Sequence, residues 1–209
     1  MTRLSLIVAA TVSNGIGQSS RLPWRLPQEM TYFARITSGA PEGTKNAVVM
    51  GRKTWESIPA KFRPLRDRLN VVISRNQDYQ LQTANTSSVR LNADLPSALT
   101  ELSMQDSGSE KTDVNRVFII GGATLYKETL ELPPSSPTFV DRVLLTRILS
   151  PSFDECDVFL PDFLKTEDVT ITRWSRCTHE ELQDWVGFEV PREIQEEKGV
   201  QYEFQMWTR

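Results

Sequence analysis

Five stretches of this chain are apolar on consecutive positions instead of alternating with polar ones: Leu4 to Thr11, Asn46 to Met50 before Gly51, Leu69 to Ser74, Val117 to Ile120 and Val140 to Ile148. Neighbouring side chains of a strand point to opposite faces, so such runs predict strands buried on both sides, as in a mostly parallel sheet covered by helices. Helical spacing predicts Pro27 to Thr37, closed by Gly39, then Arg52 to about Ser57, Leu95 to Leu102, and a segment from Gly121-Gly122 through Leu130. Further on, Val169 to Arg176, Trp185 to Val190 and Tyr202 to Trp207 read as antiparallel strands. Polar Met104 to Asn115 and the proline-rich Pro133 to Pro137 read as surface loops. The fold class is therefore α/β: a mostly parallel central sheet, helices on both faces and an antiparallel C-terminal edge. Residues 1–209 suit a single domain.

One position breaks the pattern. In Pro27 to Ile36, helical geometry puts Glu29, Phe33 and Ile36 on one line and Met30, Phe33 and Ala34 on the next, so a carboxylate sits on the apolar stripe. A glutamate in a first turn is ordinary, because the helix dipole favours negative charge there. Its neighbours along the chain decide between the two readings.

Composition narrows them. Hydrophobic residues make up 39% of the chain, ample for one core, and the net charge of −3 with a pI near 5.4 argues against a nucleic-acid binder acting through a general positive field. Cys156 and Cys177 lack CxxC spacing, which favours reduced packing residues in a cytoplasmic protein. His179 is the only histidine, so His-based metal clusters and Ser-His-Asp machinery are excluded. Leu4 to Thr11 leads straight into Asn14-Gly15-Ile16-Gly17, a turn leaving a core strand, and no stretch reaches membrane-spanning length.

Positive charge is local. Arg52, Lys53, Lys61, Arg63, Arg66, Arg68 and Arg75 stand against only Glu56 and Asp67 over residues 52–75. A solvated basic face is the commoner meaning of such a run. Position points elsewhere: Arg52-Lys53-Thr54 opens a helix after a strand and Gly51, and Ser74-Arg75 ends the next strand, so both reach the carboxyl edge where ligands bind in parallel sheets. Gly121-Gly122-Ala123-Thr124 repeats the arrangement, with small residues that let a backbone approach a pyrophosphate. Neither GxGxxG nor the Gly-x4-Gly-Lys-Ser/Thr loop is present, which disfavours a conventional Rossmann dehydrogenase or a kinase.

In order along the chain, Ile7-Val8-Ala9, Asn14-Gly15-Ile16-Gly17, Leu22-Pro23-Trp24, Glu29 with Phe33, Val48 through Pro59, Arg63-Pro64-Leu65 with Arg68, Ile120-Gly121-Gly122 with Tyr126, Thr146-Arg147 and Gln195 through Tyr202 resemble dihydrofolate reductase of the eukaryotic, fungal kind. Arg25, Met30 and Phe62 occupy positions where other members carry different residues.

That resemblance implies NADPH as cofactor, dihydrofolate as substrate, antifolates as inhibitors, and a monomer without nucleic-acid or membrane partners. Hydride transfer belongs to the cofactor, so the protein needs placement and electrostatics rather than a nucleophile or metal. The resemblance assigns catalysis to Glu29, Leu22 and Trp24. It gives the pterin slot Ile7, Val8, Ala9, Ile120, Tyr126 and Thr146, and the benzoyl wall Met30, Phe33, Ala34, Ile58, Phe62 and Leu65, with Arg68 on the α-carboxylate. Cofactor positions are Ala9, Gly15, Ile16, Gly17, Gly51, Arg52, Lys53, Thr54, Ser74, Arg75, Asn76, Gly121, Gly122, Ala123, Thr124, Leu125 and Tyr126.

Chemistry supports the central assignment. A pterin presents a 2-amino group and a ring N–H on one edge, and one carboxylate can accept both. Burial should raise the pKa of Glu29, so its protonation would govern the pH dependence of turnover. Oxygens bound at that edge cannot also reach N5, whose proton must arrive by water or a tautomer. Ser13 to Trp24, with Gly15 and Gly17 as flexible points, would form a lid. Rival readings are another NADPH-dependent pteridine or pyrimidine reductase, and a pterin binder without turnover.

Overall fold

The apolar runs become the middle of one sheet. A computed structural model describes residues 3–83, 87–103, 113–136, 138–165 and 173–209. Its elements are β1 (Leu4–Thr11), β2 (Gly15–Gly17), α1 (Pro27–Ser38), β3 (Thr44–Gly51), α2 (Arg52–Ser57), β4 (Arg68–Ile73), β5 (Val89–Asn92), α3 (Leu95–Ser103), β6 (Asp113–Ile119), α4 (Ala123–Leu130), β7 (Val140–Ser150), β8 (Val158–Phe159), β9 (Ser175–Arg176), α5 (His179–Val186), β10 (Gln195–Glu197) and β11 (Val200–Thr208). Among the described residues the main sheet runs β10-β11-β7-β1-β6-β3-β4-β5, with β9 also on β11. The strands from β7 to β5 are parallel, and β11 enters antiparallel to β7.

Alternation along β1 explains why both faces needed apolar cover. Leu4, Leu6, Val8 and Ala10 join Leu95, Leu99 and Leu102 of α3 and Leu125, Tyr126 and Leu130 of α4 in one cluster. Ile7 joins Tyr32 and Ile36 of α1, Trp55 of α2 and Leu182 of α5 in the other. The α/β class with helices on both faces and an antiparallel C-terminal edge is what the chain adopts.

Several boundaries differ from the sequence reading. Trp185 to Val190, expected as a strand, is the end of α5 and the turn beyond it. Thr178 and Glu181 form a reciprocal capping box, and Gly187 closes the helix in the left-handed conformation. Leu182, Trp185 and Val186 recur at helical spacing in the same cluster, a period that Phe188 and Val190 blur into alternation. Asp113 to Asn115, read as the end of a loop, start β6 because pairing with Thr44 and Lys45 of β3 supplies backbone partners. Residues 104–112 of that loop and Pro137 lie outside the described residues. So do residues 169–172 of the expected Val169–Arg176 strand, of which Ser175–Arg176 pairs with β11.

Candidate active site

Helix α1 carries Glu29 and is anchored at both ends. Its last turn closes as the Gly39 N–H donates to the Arg35 carbonyl. Buried Asn46 of β3 donates to the Gly39 carbonyl at 3.0 Å, while its own oxygen accepts from Asn115 and Arg116. The inner face packs Tyr32 on Phe204, with centroids 3.9 Å apart. Tyr32 is absent from the stripe read in the sequence, yet it is buried; β11 widens the apolar surface that α1 must cover.

Held this way, Glu29 points inward and is 7% exposed. Thr146 of β7 donates to its Oε1 at 3.1 Å. Burial pushes the carboxyl up to about 7, the Thr146 hydrogen bond opposes that, and the charge of Glu197 adds to it. A glutamate half-protonated near neutrality, with a second oxygen left for a ligand, can accept a pair of N–H donors from a heterocycle.

Around it lie the other expected positions. Ile7 and Val8 are buried, Ala9 and Ile120 are half-buried, and all four sit toward the carboxyl ends of β1 and β6. Tyr126 of α4 is buried and donates to the Ile7 carbonyl at 3.0 Å. Phe33, Ile58 and Leu65 pack partly buried against the α1-side cluster, and Ala34 is half-buried on α1. Leu22, Met30 and Phe62 are 51%, 48% and 57% exposed. Trp24 is buried edge-on to Phe153, and its indole N–H has no hydrogen-bond partner among the described residues.

Two strand-to-helix junctions meet. The Gly51 N–H donates to the Gly121 carbonyl at 2.8 Å, and Gly122 is the N-cap of α4. Gly121 has φ of +123°, and a Cβ on it would lie 3.1 Å from the Thr54 hydroxyl, so both backbone and space demand glycine there. Register pairs Gly51 with Ile73, which brings buried Ser74 and exposed Arg75 and Asn76 out beside exposed Arg52 and Lys53. Ala123 and Thr124 open α4, and Leu125 is in its core face.

Arg68 lies at the other end, where β4 begins. It is 7% exposed; its Nη1 donates to Thr37 Oγ1 at 2.6 Å and its Nε to the Arg66 carbonyl at 2.8 Å. Burial lowers its pKa and the charge of Asp67 opposes that, though among the described residues no carboxylate lies within ion-pair distance. A buried guanidinium without an ion-pair partner has donors left for an anion. Glu29 and Thr37 are eight residues apart on α1, about 12 Å at 1.5 Å per residue. Helix α1 thus carries a buried acid two turns from the hydroxyl that holds a buried cation.

The lid expectation needs correction in its first half. Gly15 is not a hinge: a Cβ there would stand 2.7 Å from both Cβ and Sγ of Cys156, so close packing requires the glycine. Asn14 to Gly17 is tied to β8 and its flanks, with Leu160 donating to Asn14 and Asp157 to Gly17, and Arg147 donating to Asn14 Oδ1. Ser19 to Leu22 is exposed.

Two residues of the site escaped the sequence reading. Thr37, which holds Arg68, is signalled by lying four and eight positions beyond Phe33 and Glu29 on one helix line. Glu197, whose two oxygens accept the Gln28 N–H at 3.0 and 3.3 Å, is 169 residues away, so no local pattern reveals it.

Comparison with known proteins places the chain in a family. A family model described as "Dihydrofolate reductase" matches residues 3–189. The dihydrofolate reductase of Cryptococcus neoformans is 45% identical, covering 98% of this chain and 94% of its own, and that of Pneumocystis carinii is 44% identical, covering 99% and 96%. The solved dihydrofolate reductase of Schistosoma mansoni superposes with a TM-score of 0.74 at 33% identity, over 99% of this chain and 98% of its own.

Proposed function

The chain belongs to the dihydrofolate reductase family, and from that premise we propose how its residues carry out the reaction, the NADPH-dependent reduction of 7,8-dihydrofolate to 5,6,7,8-tetrahydrofolate. The observation that carries the assignment is the buried Glu29 carboxyl held by Thr146.

Glu29 accepts the 2-amino group and ring N–H of the pterin, and Thr146 fixes the carboxylate plane for that bidentate contact. A proton reaches N5 through water or a tautomer, since the Glu29 oxygens are engaged on the opposite edge. Ile7, Val8, Ala9, Ile120 and Tyr126 form the slot; Met30, Phe33, Ala34, Ile58, Phe62 and Leu65 wall the benzoyl group. The free Nη hydrogens of Arg68 take the α-carboxylate. Leu22 and Trp24 close the reacting end against water.

NADPH supplies the hydride to C6. The residues fit it on two counts: Gly121 and Gly122 keep a surface beside Thr54 that a Cβ would fill, and Arg52, Lys53 and Arg75 stand exposed at one sheet edge with Ser74 and Asn76. Gly51, Thr54, Ala123, Thr124 and Leu125 frame the same edge; Ala9, Gly15, Ile16, Gly17 and Tyr126 would flank the nicotinamide end.

The reading takes 1–209 as one reductase domain acting as a monomer in the cytoplasm, supported by free thiols at Cys156 and Cys177. No described helix is long and apolar enough to cross a membrane, and a net charge of −3 gives no general attraction to nucleic acid. The test is loss of NADPH absorbance on adding dihydrofolate, blocked by a diaminopyrimidine antifolate. Binding of the antifolate without turnover would refute the assigned chemistry.

A further inference from the structure

Helix α1 begins without a cap of its own. Its N-cap position is Leu26, which offers no side-chain acceptor, and Pro27 follows as the first helical residue. Free N–H groups at a helix start want an acceptor and favour negative charge. Glu197 supplies both from the far end of the chain, and the N–H it accepts belongs to Gln28, the residue before Glu29.

Its placement is set by strand pairing. Glu197 pairs with Val200 across a two-residue turn, Lys198-Gly199, with both residues at positive φ as a tight hairpin requires. The partner strand β11 pairs with β7 so that Phe204 lies opposite Thr146. One sheet edge therefore brings Glu29 a hydrogen bond from β7 and a negative charge from β10.

The other titratable groups acting on Glu29 carry no charge near neutrality. Tyr126 of α4 and Tyr32 of α1 are pushed up by burial, and Tyr202 of β11 is pushed up to about 12. Among the described residues Glu197 is the formal charge felt at Glu29, and like charge opposes ionisation.

We propose that Glu197 is a positioning residue for dihydrofolate reduction: from the β10 hairpin it caps the helix that carries Glu29 and sets a like charge against the backbone N–H of the residue before it. The inference rests on Glu29 being the acid on which turnover depends. A purely structural cap would change stability through the helix dipole but leave the pH profile of turnover where it is, so the isosteric amide separates the two roles. Glu197→Gln keeps an oxygen for the Gln28 N–H and loses the charge; Glu197→Ala loses both.

The test is the pH profile of turnover for the full chain with NADPH and dihydrofolate, from pH 5 to 9. In Glu197→Gln the falling limb moves to lower pH by about half a unit, the size expected from a partly solvated like charge, and KM for dihydrofolate stays within about twofold. Glu197→Ala also raises KM, while the exposed neighbour variant Glu196→Gln superposes on the unaltered protein. An unmoved limb in Glu197→Gln overturns the proposal. The unaltered protein gives a second measurement should that variant not fold: salt screens a partly solvated charge, so the limb moves to lower pH between about 0.05 and 0.5 M salt, and a salt-independent limb overturns the proposal. An unaltered profile with no limb near pH 7 is a different failure, removing Glu29 from its role and this inference with it.

Discussion

Replacing Glu29 by glutamine should make the protein more stable and nearly inactive, with the gain growing as pH rises. Its carboxyl titrates at 4.5 when free and at about 7 in the fold, mainly because burial penalises the charged form. Below pH 4.5 folded and unfolded chains both hold the proton. Between 4.5 and 7 the unfolded chain releases a proton that the fold retains, so stability falls; above 7 both are ionised and the loss is complete. A gap of about 2.5 at about 1.4 kcal/mol per pKa unit amounts to about 3 kcal/mol, most of it lost between pH 5 and pH 8. Glutamine is neutral throughout and still offers an oxygen to the Thr146 hydroxyl 3.1 Å away, so it escapes this cost while keeping the contact. Urea unfolding of ligand-free protein, read at constant m-value, should show Glu29→Gln gaining on the unaltered chain by about 2–3 kcal/mol from pH 5 to pH 8, or about 2–4 °C in Tm per kcal/mol. Ligands must be absent because they stabilise the folded state by mass action. In parallel, kcat/KM for dihydrofolate should fall about a hundredfold at pH 7, as an amide can neither accept both pterin donors nor titrate as the carboxyl does. A stability difference that does not vary with pH would refute the reasoning, since it would mean that Glu29 never titrates as a buried acid.

Other substitutions probe separate parts of the same structure. Thr146→Val removes the hydrogen bond that favours ionised Glu29, so the falling limb of turnover should move to higher pH, with a stability loss of about 1 kcal/mol; a shift to lower pH would contradict the contact. Arg68→Lys should raise KM for dihydrofolate at least about tenfold with the KM for NADPH unchanged, because a lysine cannot hold Thr37, Arg66 and a carboxylate together; equal KM values for dihydrofolate would count against it. Gly15→Ala should cost about 1–3 kcal/mol in urea unfolding, given the Cβ and Sγ of Cys156 at 2.7 Å, and unchanged stability would show that the loop yields. Arg75→Ala should reduce the preference for NADPH over NADH severalfold in steady-state kinetics, and an unaltered ratio would free Arg75 of that role.

Where the chain could be read unaided, the reason was local. The runs in β1, β3, β4, β6 and β7 are apolar on both faces because helices cover both, and that signal needs no knowledge of partners. Arg52 to Ser57 and the start of α4 at Ala123 were legible from a strand, a glycine and a change of period. Misreadings arose where a local signal was ambiguous or a partner was remote. Trp185 to Val190 alternates well enough for a strand, yet the box at Thr178 and Glu181 outweighs it by satisfying two backbone donors. Gly15 and Gly17 read as flexible because glycine permits movement, whereas at Gly15 it admits Cys156, which sits 141 positions away and leaves no mark nearby.

The same division runs through the active site and explains why Glu29 was legible but its tuning was not. An acid on an apolar stripe announces burial, and burial alone fixes the direction of the pKa change. How far it moves is set by Thr146 and Glu197, which pull in opposite senses and reach Glu29 only because β7, β11 and β10 pair in a fixed register. A one-residue slip of β11 against β7 would turn Phe204 and Tyr202 to the other face and carry the β10 hairpin with them. The proton on Glu29 is thus controlled by sheet register more than by any residue next to it in the chain. A substitution in the Lys198-Gly199 turn that loosens the hairpin should therefore alter the pH profile before it alters substrate affinity.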